Sequence, residues 1–130
     1  MSTIFSKIIS GEIPSYKIAE DEKHIAFLDA MPLVKGHTLV VPKKETDLIF
    51  DLESDDYKEL WGFTQEIAKK IKKAVPCKRV GIAVVGLEVP HAHIHLIPIN
   101  KESDMSLSNP RIKIEQFEFE EIAKKIRENI

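Results

Sequence analysis

Histidine alternates strictly with apolar residues in the run His91-Ala92-His93-Ile94-His95-Leu96-Ile97. A period of two belongs to a β-strand whose two faces meet different environments. The pattern predicts a strand over 91–97, with Ala92, Ile94 and Leu96 toward the core and three imidazoles on the opposite face. Only five histidines occur in the chain, so three in one such row is a strong concentration. Imidazole titrates near neutral pH and serves as nucleophile, base or ligand, which makes this row the main functional lead.

Strand geometry narrows the chemistry. Neighbouring histidines on one face stand ~6.6 Å apart, and the outer two ~13 Å apart. A single metal at ~2.1 Å from all three rings would require both outer side chains to lean far inward. A two-histidine metal site completed from elsewhere stays open, as does a surface strand that is merely rich in histidine. An extended polyanion suits the row better, with the middle ring at the reacting atom and its neighbours around it. That is the pattern of phosphate chemistry.

Composition sets the remaining bounds. A chain of 130 residues is expected to form one domain with a real core. Hydrophobic residues at 43% and charged residues at 31% argue against disorder. The formal net charge of −2 provides no general pull toward nucleic acid or anionic membrane. Cys77 is the only cysteine, which excludes an internal disulfide and a cysteine-rich zinc site. No apolar run approaches ~18 residues and no signal-peptide core is seen, so a cytoplasmic protein without a membrane partner is expected.

Ile4, Phe5, Ile8 and Ile9 recur at helical spacing, with Gly11 as a stop. Strands are expected over 15–20 and 24–28, forming a hairpin across Asp21-Glu22-Lys23. A loop marked by Pro32 and Gly36 leads to a β-branched strand over 37–42. Residues 47–52 suit a short helical turn. The long helix starts with Ser54 as N-cap and Asp55 and Asp56 in its first turn, and Pro76 stops it. A strand follows over 79–85, then the turn Gly86 to Pro90 into the histidine strand. Residues 101–110 read as a polar loop able to close over a site, 112–114 as a brief strand. Phe119, Ile122, Ala123 and Ile126 stripe a C-terminal helix. Short turns between strands favour an antiparallel sheet covered by the long helix, an α+β fold. Neither GxxxxGK[ST] nor GxGxxG occurs, so phosphate recognition must rest on other groups.

Outside the row, His37 follows Gly36 and could meet His91 or His93 if the two strands are neighbours. His24 reads as structural or exposed. Asp29 ends an apolar run at the start of a loop; it is a turn carboxylate by default, or an acceptor for two sugar hydroxyls. Ile4, Phe5, Ile8 and Ile13 are core residues by default, or one wall of a flat apolar slot. Lys43 and Lys44 read as a solvated basic end, and Cys77 as a helix-exit residue without a redox role.

With these residues in place, His91 to Ile97 resembles the histidine triad motif, His-φ-His-φ-His-φ-φ, of the HIT superfamily. The similarity extends over Thr3 to Ile9 and Glu12-Ile13-Pro14, which resemble the start of the Hint-like branch. Ala26-Phe27-Leu28-Asp29 and Gly36 to Lys43 resemble its central blocks. Only the segment from about Lys101 onward is not covered. The resemblance implies a single HIT domain over 1–130, with 101–130 as a C-terminal extension. It implies a five-stranded antiparallel sheet with helices, paired in a homodimer as a ten-stranded sheet.

For function, the resemblance implies hydrolysis or transfer of a nucleotidyl group without metal or cofactor. His93 would attack the α-phosphorus to form a nucleotidyl-histidine, which water then cleaves. His95 and His91 would assist at phosphate oxygens and the leaving group, and His37 would support the cluster. Asp29 would take the ribose hydroxyls, and Ile4, Phe5, Ile8, Ile13 and Phe27 would line the base pocket. Purine nucleoside 5′-phosphoramidates or related conjugates are the implied substrates, dinucleoside polyphosphates an alternative. Many relatives carry an amide and a hydroxyl in the loop before the triad. Here Leu87 and Glu88 stand there, with Val89 next to them near the substrate. A carboxylate beside a phosphate is repulsive unless it turns away or meets a cation, so a nucleotide-binding module with little catalysis is a further alternative.

Overall fold

A computed structural model describes residues 3–129. Helix α1 (Ile4–Ile9) leads into strands β1 (Lys17–Glu20), β2 (His24–Leu28) and β3 (Thr38–Pro42). Helix α2 (Ser54–Ala74) follows, then β4 (Arg79–Ala83), β5 (Ile94–Ile99) and helix α3 (Gln116–Glu128). The strands form one five-stranded sheet in the order β1-β2-β3-β5-β4. Every pairing is antiparallel. The fold class is therefore α+β, as the strand and helix periods predict.

Alternation along the central strands builds two apolar layers. Ala26, Leu28, Val40, Ile94 and Leu96 join Leu60, Ile67, Ile71, Phe119, Ala123 and Ile126 from α2 and α3 in the larger core. Ile25, Phe27, Leu39 and Val41 point to the other face, where Phe5, Ile8, Ile9 and Val89 cover them. The long helix alone was expected to cover one face; instead two helices cover it, and α1 covers part of the second. Burial on both faces explains why β2 and β3 are buried throughout. β4 is an outer strand of the sheet, with Val80 against the larger core and Ile82 half exposed.

Several boundaries differ from expectation for identifiable reasons. Strand β5 begins at Ile94, so His91, Ala92 and His93 precede it as irregular backbone. There the amide of Ala92 bonds the carbonyl of Thr46 at 2.7 Å, outside any ladder. Strand β1 starts at Lys17 beside a register shift, and β4 stops at Ala83, whose partner His95 is one residue from the start of β5. Glu53 rather than Ser54 is the N-cap of α2, with no side-chain bond. Residues 102–105 form a 3-10 turn closed by Asp104 rather than an irregular loop. Ile112 donates its amide to the Pro32 carbonyl at 2.9 Å, but 112–114 form no strand.

Gly36 cannot be another residue here. Its φ is +93°, and an added Cβ would meet Val75 at 3.0 Å and Pro98 at 3.1 Å. This tight turn after the Pro32 loop delivers His37 to the mouth of β3.

Candidate active site

The three histidines of the row lie together with His37, but not as a flat row on a strand. All four are buried, His37 and His91 completely. The ring centroids of His93 and His95 are 5.0 Å apart with the planes at 62°, and Phe5 meets the His93 ring edge-on at 4.8 Å. The row was expected to stand ~6.6 Å apart per step. Irregular backbone before Ile94 draws the rings closer than that.

Hydrogen bonds to backbone groups settle where each proton sits. A carbonyl can only accept, so His93 Nδ1, 2.8 Å from the His91 carbonyl, carries the proton. Neutral His93 therefore keeps its lone pair on Nε2. By the same logic His91 Nε2 donates to the Pro42 carbonyl at 2.8 Å. Its Nδ1 then accepts from the Thr3 hydroxyl at 2.9 Å. For His37 the order reverses: the Leu33 amide donates to Nδ1 at 3.0 Å. Nε2 of His37 must carry a proton, and this N–H donates a hydrogen bond to His95 Nδ1 at 3.0 Å. His95 consequently holds its own proton on Nε2.

These protonation states leave a lone pair on His93 Nε2 beside an N–H on His95 Nε2. Among the described residues the one buried side-chain nitrogen without a partner is Trp61 Nε1. The unbonded Nε2 atoms of His93 and His95 therefore both open to solvent. Burial depresses the pKa of His93, partly opposed by the His91 carbonyl and by Asp29. It also takes His95 down to about 4, helped by His93 and Arg111, and His37 to about 3, helped by His95 and Arg111. His37 and His95 are therefore neutral at physiological pH, and burial favours the neutral form of His93, whose Nε2 lone pair is available for attack.

Asp29 stands at the edge of the cluster, Oδ2 3.6 Å from His37 Nε2. Its Oδ1 accepts the Met31 amide at 2.9 Å, an Asx turn that starts the loop. Burial raises its pKa, opposed by the Met31 amide, Arg111 and His93 and reinforced by Glu88. Donor atoms of Asp29, His37 and His95 lie within 4.8 Å of one another. The His37–His95 hydrogen bond already occupies the facing nitrogens of two of them.

Two expectations change. His37 meets His95, not His91 or His93, because Leu39 pairs opposite His95 and places His37 diagonally from it. His91 has no exposed atom and both ring nitrogens are engaged, so it cannot reach a phosphate directly. It acts through its carbonyl, which holds the His93 ring. Of the apolar candidates, Phe5, Ile8, Phe27 and Val89 share the layer beside the histidines. Ile4 is half exposed and Ile13 partly buried, and neither belongs to that layer. Glu88 is exposed yet close enough to act on Asp29. His24 is buried and bonds Asp21, the structural role expected of it.

Sequence reasoning missed Thr3 and Arg111. Thr3 accepts the Ser6 amide as N-cap of α1 while holding His91. A threonine before an apolar helical run is a recognisable cap, and this signal was available. Arg111 carried no local signal.

A five-stranded antiparallel sheet with a buried, hydrogen-bonded histidine cluster on one face defines a class of protein. The HIT domain pattern matches residues 10–102, and the chain belongs to the HIT family. The adenosine 5′-monophosphoramidase of Schizosaccharomyces pombe is 33% identical over 137 residues, spanning 98% of this chain and 100% of that protein. A HIT-like protein from Bartonella henselae, described as involved in cell-cycle regulation, superposes with a TM-score of 0.86 at 34% identity, covering 99% of this chain and 96% of that one. A hypothetical histidine triad nucleotide-binding protein from Sulfolobus tokodaii gives 0.83 at 32% identity, covering 97% and 90%. None of the helices among the described residues is long and apolar enough to cross a membrane.

Proposed function

We propose that this chain hydrolyses purine nucleoside 5′-phosphoramidates or related nucleotide conjugates through a nucleotidyl-histidine intermediate. The observation that carries this reading is the free lone pair on His93 Nε2 beside the N–H of His95 Nε2. His93 attacks the α-phosphorus, the bond to the leaving group breaks, and a departing amine takes its proton from solvent. Water then attacks the same phosphorus, the N–P bond breaks, and the nucleoside monophosphate leaves with His93 restored. No metal is invoked.

His95 is a hydrogen-bond donor to phosphate oxygen in this scheme rather than a source of protons. With Nδ1 already accepting from His37, loss of its other proton would leave an imidazolate. Its contribution is electrostatic, the larger part of catalysis in phosphoryl transfer. His37 sets the tautomer of His95, and His91 holds His93. Asp29 takes the ribose hydroxyls, and Phe5, Ile8, Phe27 and Val89 wall the base; Ile4 and Ile13 stand outside that wall. The printed activity of the S. pombe relative supports a phosphoramidate substrate.

The whole chain is read as one HIT domain that pairs through the exposed β4 edge into a cytoplasmic homodimer. Leu87, the most exposed large apolar residue among those described, and Glu88 favour a second reading, a nucleotide-binding module with little turnover. Incubating the protein with adenosine 5′-phosphoramidate and following AMP release separates the two. AMP binding without release on this or on a diadenosine polyphosphate would favour the module.

A further inference from the structure

We propose that Arg111 is a positioning residue for sugar recognition: its guanidinium holds the Asp29 carboxylate charged and aimed while leaving Oδ2 free for a ribose hydroxyl. This rests on the reading of Asp29 as the sugar acceptor.

Arg111 lies beyond the stretch matched by the HIT domain pattern, which ends at residue 102. Two bonds tie its segment to the loop that Asp29 begins. Arg111 Nη1 donates to the Met31 carbonyl at 2.7 Å, and the Ile112 amide donates to the Pro32 carbonyl at 2.9 Å. A longer contact of 3.5 Å reaches from Nη2 to the Leu107 carbonyl. Thus held, Nη1 stands 3.6 Å from Asp29 Oδ2.

That distance matters. At 3.6 Å the cation attracts the carboxylate without forming a hydrogen bond. The N–H on His37 Nε2, also 3.6 Å from Oδ2, is already engaged in its hydrogen bond to His95. Oδ1 is taken by the Met31 amide. Oδ2 is therefore flanked by a charge and a ring but accepts from neither, which suits an oxygen awaiting a hydroxyl. The groups acting on Asp29 are Arg111, His93, His37 and Glu88. Burial and Glu88 favour its neutral form; the Met31 amide opposes them most, and Arg111 is the fixed cation that does so beside it. A neutral carboxyl would lose half its accepting power toward two hydroxyls.

Calorimetric binding of AMP and 2′,3′-dideoxy-AMP to the wild type, R111Q and R111K tests this without requiring turnover. Wild type should prefer AMP. R111Q should weaken AMP binding by about tenfold, leave dideoxy-AMP binding within about twofold, and shift the acid loss of AMP binding to higher pH. R111K should recover most of the affinity. Equal losses on both nucleotides, or no change for AMP, would overturn the role of Arg111 alone. Equal affinity of the wild type for the two nucleotides would overturn the sugar assignment of Asp29, and no binding of either would overturn the nucleotide reading itself.

Discussion

His37 Nε2 donates to His95 Nδ1 across 3.0 Å of protein interior, and the direction of that bond is dictated by the Leu33 amide on the far side of the His37 ring. One backbone N–H thereby decides which nitrogen of a ring two strands away faces the substrate with a proton. Protonating either ring breaks the chain: His37 Nδ1 would confront another donor, and His95 Nδ1 would lose its role as acceptor.

This arrangement makes stability sensitive to mild acid. The folded pKa values of His37 and His95, about 3 and about 4, lie below the ordinary value of 6.5 that the unfolded chain adopts. Between those limits the unfolded state binds protons that the folded state refuses. The stability they confer is complete above the unfolded value and declines as pH falls toward the folded ones, by about 1.4 kcal/mol per pH unit for each ring. Urea unfolding at about pH 7.5 and about pH 5 should show a lower midpoint in acid. Equal midpoints would contradict the depressed folded pKa values of the two rings.

His93→Ala should reduce turnover of a nucleoside phosphoramidate by at least ~10³-fold while AMP affinity changes little. The ring contributes the bond-forming lone pair but not the sugar or base contacts. In the wild type, rapid acid quench followed by mass spectrometry should capture one nucleotidyl group per chain, absent from the variant. Turnover near the wild-type rate in the variant would remove His93 from the nucleophile's role.

Thr3→Val should lower stability by about 1–2 kcal/mol, since its hydroxyl both caps α1 and satisfies a wholly buried imidazole nitrogen. Valine keeps the shape but leaves His91 Nδ1 without a donor. Turnover should fall less than in the His93 variant, because the His91 carbonyl still holds the nucleophile. Thr3→Ser, which retains the hydroxyl, should stay close to wild type in thermal unfolding. If valine is as stable as serine, the hydroxyl's bond to His91 carries no weight.

How much of this was legible beforehand depends on distance along the chain. Periodicity located α2, α3 and β2 because their signals are local, and the apolar partners of the triad reached the core as their spacing implied. The row of imidazoles as a single strand face was not correct, since residues 91–93 precede β5 as irregular backbone, where the Ala92 amide bonds the Thr46 carbonyl. Residue types alone pointed to the histidine row but could not assign its protons, which depend on carbonyls and amides brought up by folding. Arg111 is further removed still. Its bond to the Met31 carbonyl spans 80 positions, and an arginine in a polar tail looks like any solvated cation until that contact exists.

The outer strand supports a last prediction. β4 has a neighbour on one side only, with Ile82 exposed in the strand and Val84 and Val85 exposed just past its end. An apolar unpaired edge is a template for another strand, and monomeric proteins usually protect it with charge or a bulge. A second copy joining edge to edge would continue the sheet and cover these side chains. Ile82→Lys puts a charge at the middle of that surface without touching the histidine cluster. Light scattering after size exclusion should report a dimer for the wild type and a monomer for the variant, with unchanged circular dichroism and AMP affinity. A monomeric wild type at about 50 μM, well above the dissociation constants of standard-sized interfaces, would refute pairing through β4.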